Sequence, residues 1–191
     1  MRKPSVLCAL LTVAVMAVAY VSAQPGEGQL QCSVRDVPEQ VVLYTLHRGR
    51  YDAVGPPISK LFGLAGQKGI TPRGSISFVY LNNPELVSQE HWLTEIRMPV
   101  GEDALKLAGT LGEFTDVKRL PAMETAVLRK PRGIDDAGAV RERLYAWMRQ
   151  QGYAAADACG EVFLSHAAGG DYSEMETEIF VPVEKVALGQ D

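Results

Sequence analysis

One seven-residue motif occurs twice in this chain, and it constrains the fold more than any other feature. The first copy, TEIRMPV, runs from Thr94 to Val100, and the second, TEIFVPV, runs from Thr177 to Val183. The copies differ only at their fourth and fifth positions. A self-match at a fixed spacing indicates an internal repeat. We therefore expect two similar halves, neither of which can bury its apolar surfaces alone.

Prolines and glycines outside the motif keep the spacing of its two copies. Pro121 lies as far after Pro38 as Thr177 lies after Thr94, and Gly152 lies equally far after Gly69. Proline interrupts strands and glycine ends helices, so the same elements are expected to stop at equivalent places in both halves. On this basis we assign repeat 1 to about 32–100, a packed connector to 101–114 and repeat 2 to about 115–183.

Each half shows the pattern of strand, helix, strand, strand. In the first half, residues 34–46 are rich in strand-forming residues but broken by Pro38, which predicts two short strands or one bent strand. Apolar residues at helical spacing predict one amphipathic helix in each half. Their apolar faces are Ile58, Leu61, Phe62 and Ala65 in the first half, and Val140, Leu144, Trp147 and Met148 in the second. The later strands are expected at 75–82, 92–100, 161–165 and 175–183.

These elements predict an α+β fold in which a strand–helix–strand–strand unit is duplicated. Two such units side by side can form one curved antiparallel sheet with both helices on one face. The other face is then concave and opens as a cleft near a pseudo-twofold axis. The length of 191 residues and the ordinary hydrophobic content of 47% fit one globular domain.

Residues 1–23 have the pattern of an export signal. Arg2 and Lys3 precede an uncharged apolar run at residues 6–21, and the small residues Ser22 and Ala23 suit a signal peptidase. Cleavage after Ala23 would leave a single domain at 24–191 in the periplasm or outside the cell. The alternative is an uncleaved anchor, which would tether the domain to a membrane.

The charge pattern argues against nucleic acid as a partner. The formal net charge is -4, and no run of Lys or Arg is present. The histidines His47, His91 and His166 are scattered without metal-ligand spacing, so no metal site is expected. A small negative charge gives only a slight preference for cationic partners.

Two cysteines, Cys32 and Cys159, remain after the predicted cleavage, because Cys8 lies within the signal. An even number of cysteines in an exported protein permits one disulfide bond. The spacing leaves a second interpretation open, in which the two residues are separate buried thiols.

Strand alternation predicts which side chains face the cleft. In the last strand Glu178 and Phe180 share the face opposite the aliphatic residues, and Glu95 takes the equivalent place beside Arg97 in the first half. The preceding strands add four candidates to the same face: Tyr80, Asn82, Phe163 and Ser165. An aromatic groove that contains a carboxylate suits a flat apolar or cationic small molecule. The alternative is that both glutamates are solvated residues on a wet sheet face.

Three short motifs, taken in order, give the chain a resemblance to a known family. They are HRGRY at 47–51, YLNNP at 80–84 and the two copies of TEIxxPV. Together they resemble the GyrI-like small-molecule-binding domain, the effector-binding module of multidrug-sensing transcription activators, which also occurs as stand-alone proteins. The resemblance covers residues 32–183 and implies the duplicated fold derived above. It implies a pocket role for Glu178, against cationic ligands or as an acid–base group in relatives that hydrolyse strained cyclopropane-type toxins.

We therefore predict an exported, non-enzymatic protein that binds apolar or cationic aromatic molecules without a cofactor. An export signal stands where the activators carry a helix-turn-helix, so a DNA-binding activator is not expected. The candidate ligand-binding residues are Glu178, Phe180, Tyr80, Phe163, Tyr51, Glu95 and Asn82.

Three alternative functions remain open. An enzyme could use Glu178 as a general base, helped by Tyr80 or Tyr51, against a reactive electrophile. A haem binder of the SOUL type, which shares the duplicated architecture, would need His47 or His166 as an axial ligand. The concave face could also dock a protein partner through its exposed aromatic residues.

Overall fold

The computed structural model describes residues 30–133, 137–165 and 175–186, and this part of the chain contains nine strands and two α-helices. The strands are β1 (Cys32–Val37), β2 (Gln40–Arg48), β3 (Ser77–Tyr80), β4 (Leu93–Val100), β5 (Thr115–Leu120), β6 (Met123–Lys130), β7 (Tyr153–Ala155), β8 (Gly160–Phe163) and β9 (Thr177–Lys185). The helices are α1 (Gly55–Lys68) and α2 (Ala137–Gln150). Short 3-10 helices lie at Tyr51–Ala53, Gln89–His91 and Glu102–Leu107. The predicted export signal and His166 lie outside the described residues.

Helix α1 forms where the apolar spacing predicts it. Leu61 and Ala65 are buried and belong to one core with Ile96 and Met98 of β4. Gly69 ends the helix in the left-handed conformation, with φ of 68°, which most other residues adopt only with strain.

Helix α2 packs in the equivalent way on the second half. Leu144 and Met148 are buried in a second core with Ile179 and Val181 of β9. Within the described residues, neither helix has the length and apolar composition needed to span a bilayer.

The strands form one antiparallel sheet in the order β1-β6-β9-β8-β3-β4-β2-β5, with β7 added beside β9. The predicted α+β fold with a curved antiparallel sheet is confirmed. In the first half, β2 is followed by α1, β3 and β4, which is the predicted order of helix, strand, strand. In the second half, the short strand β7 is inserted between α2 and β8.

Two long bent strands cross from one half to the other. β1 and β2 are separated only by Pro38 and Glu39, and β5 and β6 only by Pro121 and Ala122. β1 pairs with β6 and β2 pairs with β5, and the register continues across both prolines without a shift. The first strand of each half therefore pairs with the other half.

The disulfide between Cys32 and Cys159 that the sequence permits is not formed, because both residues are free thiols. Cys32 lies in β1, and Cys159 directly precedes β8, with β6 and β9 between these strands. Three strand spacings amount to about 14 Å. A disulfide requires Cα atoms within about 7 Å of each other. The second interpretation, two separate thiols, is the one observed.

Candidate functional site

The concave face of the sheet holds a cavity of about 380 Å³, which we call the cleft. Every strand except β7 contributes to its lining. Its apolar walls are formed by Val37, Val42, Pro99, Leu120, Pro121, Met123, Val162, Phe180 and Pro182. Its polar lining consists of Arg35, Gln40, Ser75, Ser77, Arg97, Thr125 and Asp157.

Phe180 faces the cleft, as the strand alternation predicts. It pairs across the sheet with Gly160 of β8. A Cβ atom on Gly160 would lie 2.3 Å from Cζ of Phe180 and 2.6 Å from the carbonyl oxygen of Phe78. Glycine at this position therefore makes room for the aromatic ring at the bottom of the cleft.

Glu178 lies on the same face of the sheet as Phe180, but its carboxylate forms a salt bridge with an arginine. Arg35 of β1 donates through Nη1 to Oε2 of Glu178 at 3.2 Å and through Nη2 to Oε1. The Glu178 side chain is 12% exposed, whereas that of Arg35 is 52% exposed. Glu178 is thus a neutralised group at the margin of the cleft, and it is not among the residues that line the cavity.

Glu95, the equivalent residue of the first half, is more deeply buried and is held by two cations. Nε of Arg97 donates to Oε1 at 2.5 Å, and Nζ of Lys118 donates to Oε2 at 2.8 Å. Lys118 also lies 4.5 Å from the ring centre of Tyr44. Since one carboxylate meets two cations, this cluster carries a net positive charge.

The strand register separates Tyr80 and Phe163 from the cleft. Val162 pairs with Glu178, and Ser77 pairs with Arg97, so these residues share the cleft face. Tyr80 and Phe163 occupy the alternate positions of their strands and lie on the opposite, helix-side face. The prediction that they line one groove with Glu178 is wrong, because side chains one residue apart in a strand point to opposite faces.

Asn82 and Tyr51 have roles in the loops beyond β3 and β2. The Asn82 side chain donates to the carbonyl of His91 at 2.8 Å and accepts from the amide of Leu93 at 3.0 Å, so it holds the start of β4 in place. Tyr51 stacks on Trp92 with ring centres 4.4 Å apart and lies 4.9 Å from the ring of Tyr80. These contacts place Tyr51 with Tyr80, away from Glu178.

The residue that sequence reasoning missed is Glu161 of β8. It is 8% exposed, and it lies on the helix-side face. The hydroxyl of Tyr80 donates to Oε2 at 3.0 Å, and the hydroxyl of Thr177 donates to Oε1. No Lys or Arg among the described residues forms an ion pair with this carboxylate. Glu161 therefore differs from both glutamates of the repeated motif, which are matched by cations.

Burial raises the pKa of Tyr80 well above its usual range, and the neighbouring Glu161 carboxylate raises it further. Tyr80 consequently stays protonated and serves as a donor to Glu161. Burial also raises the pKa of the Cys159 thiol to about 11, so this cysteine is a neutral thiol at physiological pH.

Two cavities lie on the helix side, and we call them the helix-side cavities; Glu161 lines neither of them, but residues close to it in the sequence do. One of about 530 Å³ is lined by α1 and the adjoining strands, with Ile58, Phe62, Pro72, Gly74, Ser75, Ile76, Phe78, Phe163, Ser165 and Met175. The other, of about 670 Å³, lies beside α2 and is lined by Tyr80, Leu81, Asn82, Asn83, Pro84, Glu85, Gly138, Ala139, Arg141, Glu142, Tyr145, Asp157, Ala158 and Cys159. Cys159 lines one cavity and Phe163 the other, and Glu161 lies midway between these two residues in the sequence.

A sequence signal for Glu161 existed. The alternation that aligns Phe163 with Ser165 also includes Glu161, two residues earlier. A single carboxylate in the short central strand GEVF is unusual, because charged residues are seldom fully buried. The repeated motif drew attention to Glu95 and Glu178 instead, although both are matched by cations in the fold.

The histidines do not form a common site in the described part of the chain. Nε2 of His47 lies 3.1 Å from the carbonyl oxygen of Arg50, within a turn. His91 lies on the surface beside Ser88 and Glu90. Among the described residues, no group of His, Cys, Asp and Glu side chains is arranged to hold a metal ion.

Sequence comparison identifies one family. The family described as the GyrI-like small molecule binding domain matches residues 12–101 and 111–184. These ranges span most of the chain and include both copies of the repeated motif. Among curated proteins, no significant match is found.

Solved structures with a similar fold include EcmrR and a hydrolase. The EcmrR C-terminal domain has a TM-score of 0.65 at 20% identity, over 82% of this chain and 99% of that one. EcmrR in a cryo-EM structure with DNA has a TM-score of 0.67 at 19% identity, over 82% of this chain and 58% of that one. A hydrolase from Listeria innocua has a TM-score of 0.60 at 13% identity, over 81% of this chain and 92% of that one. This chain thus spans little more than half of the EcmrR chain, and these likenesses show a common curled antiparallel sheet.

Proposed function

The chain belongs to the family of GyrI-like small-molecule-binding domains, and from this premise we propose that it binds apolar or cationic aromatic molecules against Glu161. The observation that carries this proposal is the buried Glu161 carboxylate, which receives hydrogen bonds from two hydroxyl groups. Cys159 and Phe163, two residues before and after it, each line one of the helix-side cavities.

The electrostatics of the three glutamates favour this choice of residue. A carboxylate taken out of water is costly unless a charge or several hydrogen bonds compensate it. Arg35 compensates Glu178, and Arg97 with Lys118 compensates Glu95. Glu161 has hydroxyl donors only among its described hydrogen bonds. A ligand cation placed here would meet a carboxylate that forms no ion pair within the described part of the chain, in surroundings where charges interact strongly.

The surroundings of Glu161 suit an aromatic ligand. Phe62 of α1 is 48% exposed and lines the cavity beside Phe78 and Phe163, whose rings meet edge to face with centres 4.6 Å apart. An exposed aromatic ring over other aromatic rings offers an apolar contact surface. On the other side, the guanidinium of Arg141 lies 5.6 Å from the ring centre of Tyr80. The face of the Tyr80 ring thus already accommodates one cation, the guanidinium of Arg141.

We extend the proposal to the location of the protein. The sequence pattern of residues 1–23 supports export, so the ligand would be met in the periplasm or outside the cell. Secretion of a reporter protein fused behind residues 1–23, and cleavage after Ala23 detected by mass spectrometry, would test this part of the proposal.

The proposed ligand site is tested by titrating the purified protein with fluorescent lipophilic cations such as ethidium and rhodamine 6G. We expect saturable binding that Glu161→Gln weakens by about tenfold, the usual effect of losing one charged contact. Glu178→Gln is the matched control, and it should leave the affinity within about twofold, because Arg35 already neutralises that carboxylate. Absence of binding to the wild type, or equal effects of the two variants, would refute the assignment to Glu161.

A second candidate function rests on the Tyr80–Glu161 pair. The Glu161 carboxylate can accept a proton from a bound substrate or water as a general base, while the protonated Tyr80 hydroxyl, 3.0 Å away, orients it. This pair replaces the predicted pair of Glu178 with Tyr80, whose members lie on opposite faces. Turnover of a bound electrophilic compound, lost in both Glu161→Gln and Tyr80→Phe, would establish a hydrolase; unchanged compounds after prolonged incubation would support a binder.

A further inference from the structure

We infer that the cleft is a second ligand site, distinct from the one at Glu161, and that it takes an apolar carboxylate. The charges of the side chains that face the cavity favour such a ligand. Two of its lining residues, Arg35 and Arg97, are cationic, and the single acidic one is Asp157, which is exposed. The remaining walls are mostly apolar, as described above.

The positions of the acidic partners strengthen the positive character of the cleft. Glu95 and Glu178 do not line the cavity, although each is bonded to an arginine that does. The carboxylates therefore hold two arginine side chains in place at the wall of the cavity, while the carboxylates themselves stay outside its lining. Because Lys118 shares the carboxylate of Glu95 with Arg97, the charge of Arg97 is not fully neutralised.

Arg97 is prepared for an anion by its geometry. Its side chain is only 13% exposed, and its Nε is bonded to Glu95 at 2.5 Å. Among the described residues, no hydrogen-bond acceptor is assigned to its two terminal nitrogens. Guanidinium groups bind carboxylates with two parallel hydrogen bonds, and a side chain that is already fixed loses little freedom on binding.

The size and walls of the cleft define the rest of the ligand. A cavity of about 380 Å³ is at the lower end of the range for small-molecule sites. Phe180 and the two motif prolines, Pro99 and Pro182, offer flat apolar contacts. These features fit a small aromatic or medium-chain aliphatic carboxylate. The ligand charge is thus opposite to the one proposed for the helix side.

The test uses 2-naphthoate, its neutral analogue 2-naphthalenemethanol and a cationic naphthylmethylammonium salt, each titrated into the purified protein by calorimetry. We expect naphthoate to bind at least about tenfold more tightly than the alcohol, since the guanidinium recognises the negative charge. Arg97→Gln should remove this preference, and Arg97→Lys should restore part of it. In Arg97→Gln, Lys118 still pairs with Glu95, so the fold is expected to persist.

Two further measurements separate this site from the one at Glu161. Glu161→Gln should leave naphthoate affinity unchanged, and Arg97→Gln should leave the affinity for lipophilic cations unchanged. If Arg97→Gln does not fold, the affinities of the wild type for naphthoate and for the alcohol still show whether the protein prefers the carboxylate. Equal affinities for the acid and the alcohol, or naphthoate binding that depends on Glu161 and not on Arg97, would overturn the inference.

Discussion

Arg35 on β1 donates two hydrogen bonds to the carboxylate of Glu178 on β9, and so connects the first strand of the fold to the last. The equivalent pair is formed by Lys118 and Glu95. Lys118 lies as far after Arg35 in the sequence as Glu178 lies after Glu95, so the two pairs occupy matching positions of the repeat. Each glutamate of the repeated motif is therefore held by a basic residue that comes from the other half. The exchange of the first strands between the halves produces this arrangement.

The two equivalent glutamates should differ in their importance for stability. We expect Glu95→Gln to lower the free energy of unfolding by roughly 2–3 kcal/mol, because it leaves Arg97 and Lys118 facing each other in a partly buried site. Glu178→Gln should cost about 1 kcal/mol or less, because its partner Arg35 is largely solvated. Urea denaturation of the two variants measures both values. Equal losses would show that burial does not distinguish the two ion pairs.

Gly160 should tolerate no side chain. We expect Gly160→Ala to destabilise the fold by about 2 kcal/mol or more, because the new methyl group would clash with Phe180 and with the carbonyl of Phe78. Gly66→Ala is the control, since Gly66 lies in helix α1 with open space around it, and alanine there should stabilise by about 0.5–1 kcal/mol. Thermal unfolding of both variants tests the prediction, and a neutral Gly160→Ala would contradict the packing described here.

The hydroxyl groups of Tyr80 and Tyr51 should respond differently to removal. Tyr80→Phe deletes a donor to the buried Glu161 carboxylate, so we expect a loss of about 1–3 kcal/mol. The buried Tyr51 hydroxyl has no hydrogen-bond partner among the described residues, so Tyr51→Phe should be neutral or slightly stabilising. Chemical denaturation of the two variants at the same pH measures their free energies of unfolding. A larger loss for Tyr51→Phe would mean that its hydroxyl has an important partner.

Stability should fall in alkaline solution partly through Cys159. Its thiol ionises at an ordinary value of 9.0 when unfolded and has a pKa of about 11 when folded. The stabilisation is fully present below the unfolded value, and it is lost as the pH rises through this window, because the unfolded chain releases its proton first. The loss is about 2–3 kcal/mol. Denaturation between pH 8 and 11 under reducing conditions should show a shallower fall for Cys159→Ala than for the wild type; identical slopes would contradict the assignment.

Local sequence patterns predicted the elements of this fold well. Helical spacing located Leu61 and Ala65 on the buried face of α1, and strand alternation in the repeated motif separated Ile179 and Val181 from Phe180. These signals depend on a few neighbouring residues, so a single sequence carries them. Phe62 was assigned to the same helical face but is 48% exposed, since it lies at the edge of the stripe.

Relationships between distant strands were harder to predict. Pairing of β1 with β6 leaves no mark in either strand, so Arg35 and Lys118 gave no sign that they would bind the motif glutamates. The face on which Tyr80 and Phe163 lie depends on how β3 and β8 align with β4 and β9. If the register between two strands shifts by one residue, every side chain of one strand moves to the other face of the sheet. Alternation within a single strand does not reveal that register. Glu161 shares its face with Tyr80, so the side of the sheet on which it lies depends on the same alignment.

The position of a bound ligand decides which face of the sheet carries the binding site. A crystal structure of the protein with the tightest-binding lipophilic cation would show which face of the sheet holds it. We predict that the positive group lies within about 4 Å of the Glu161 carboxylate, on the helix side, with its rings against Phe163 or Tyr80. A cation bound in the concave cleft against Glu178, with Arg35 displaced, would refute the assignment of the site to Glu161.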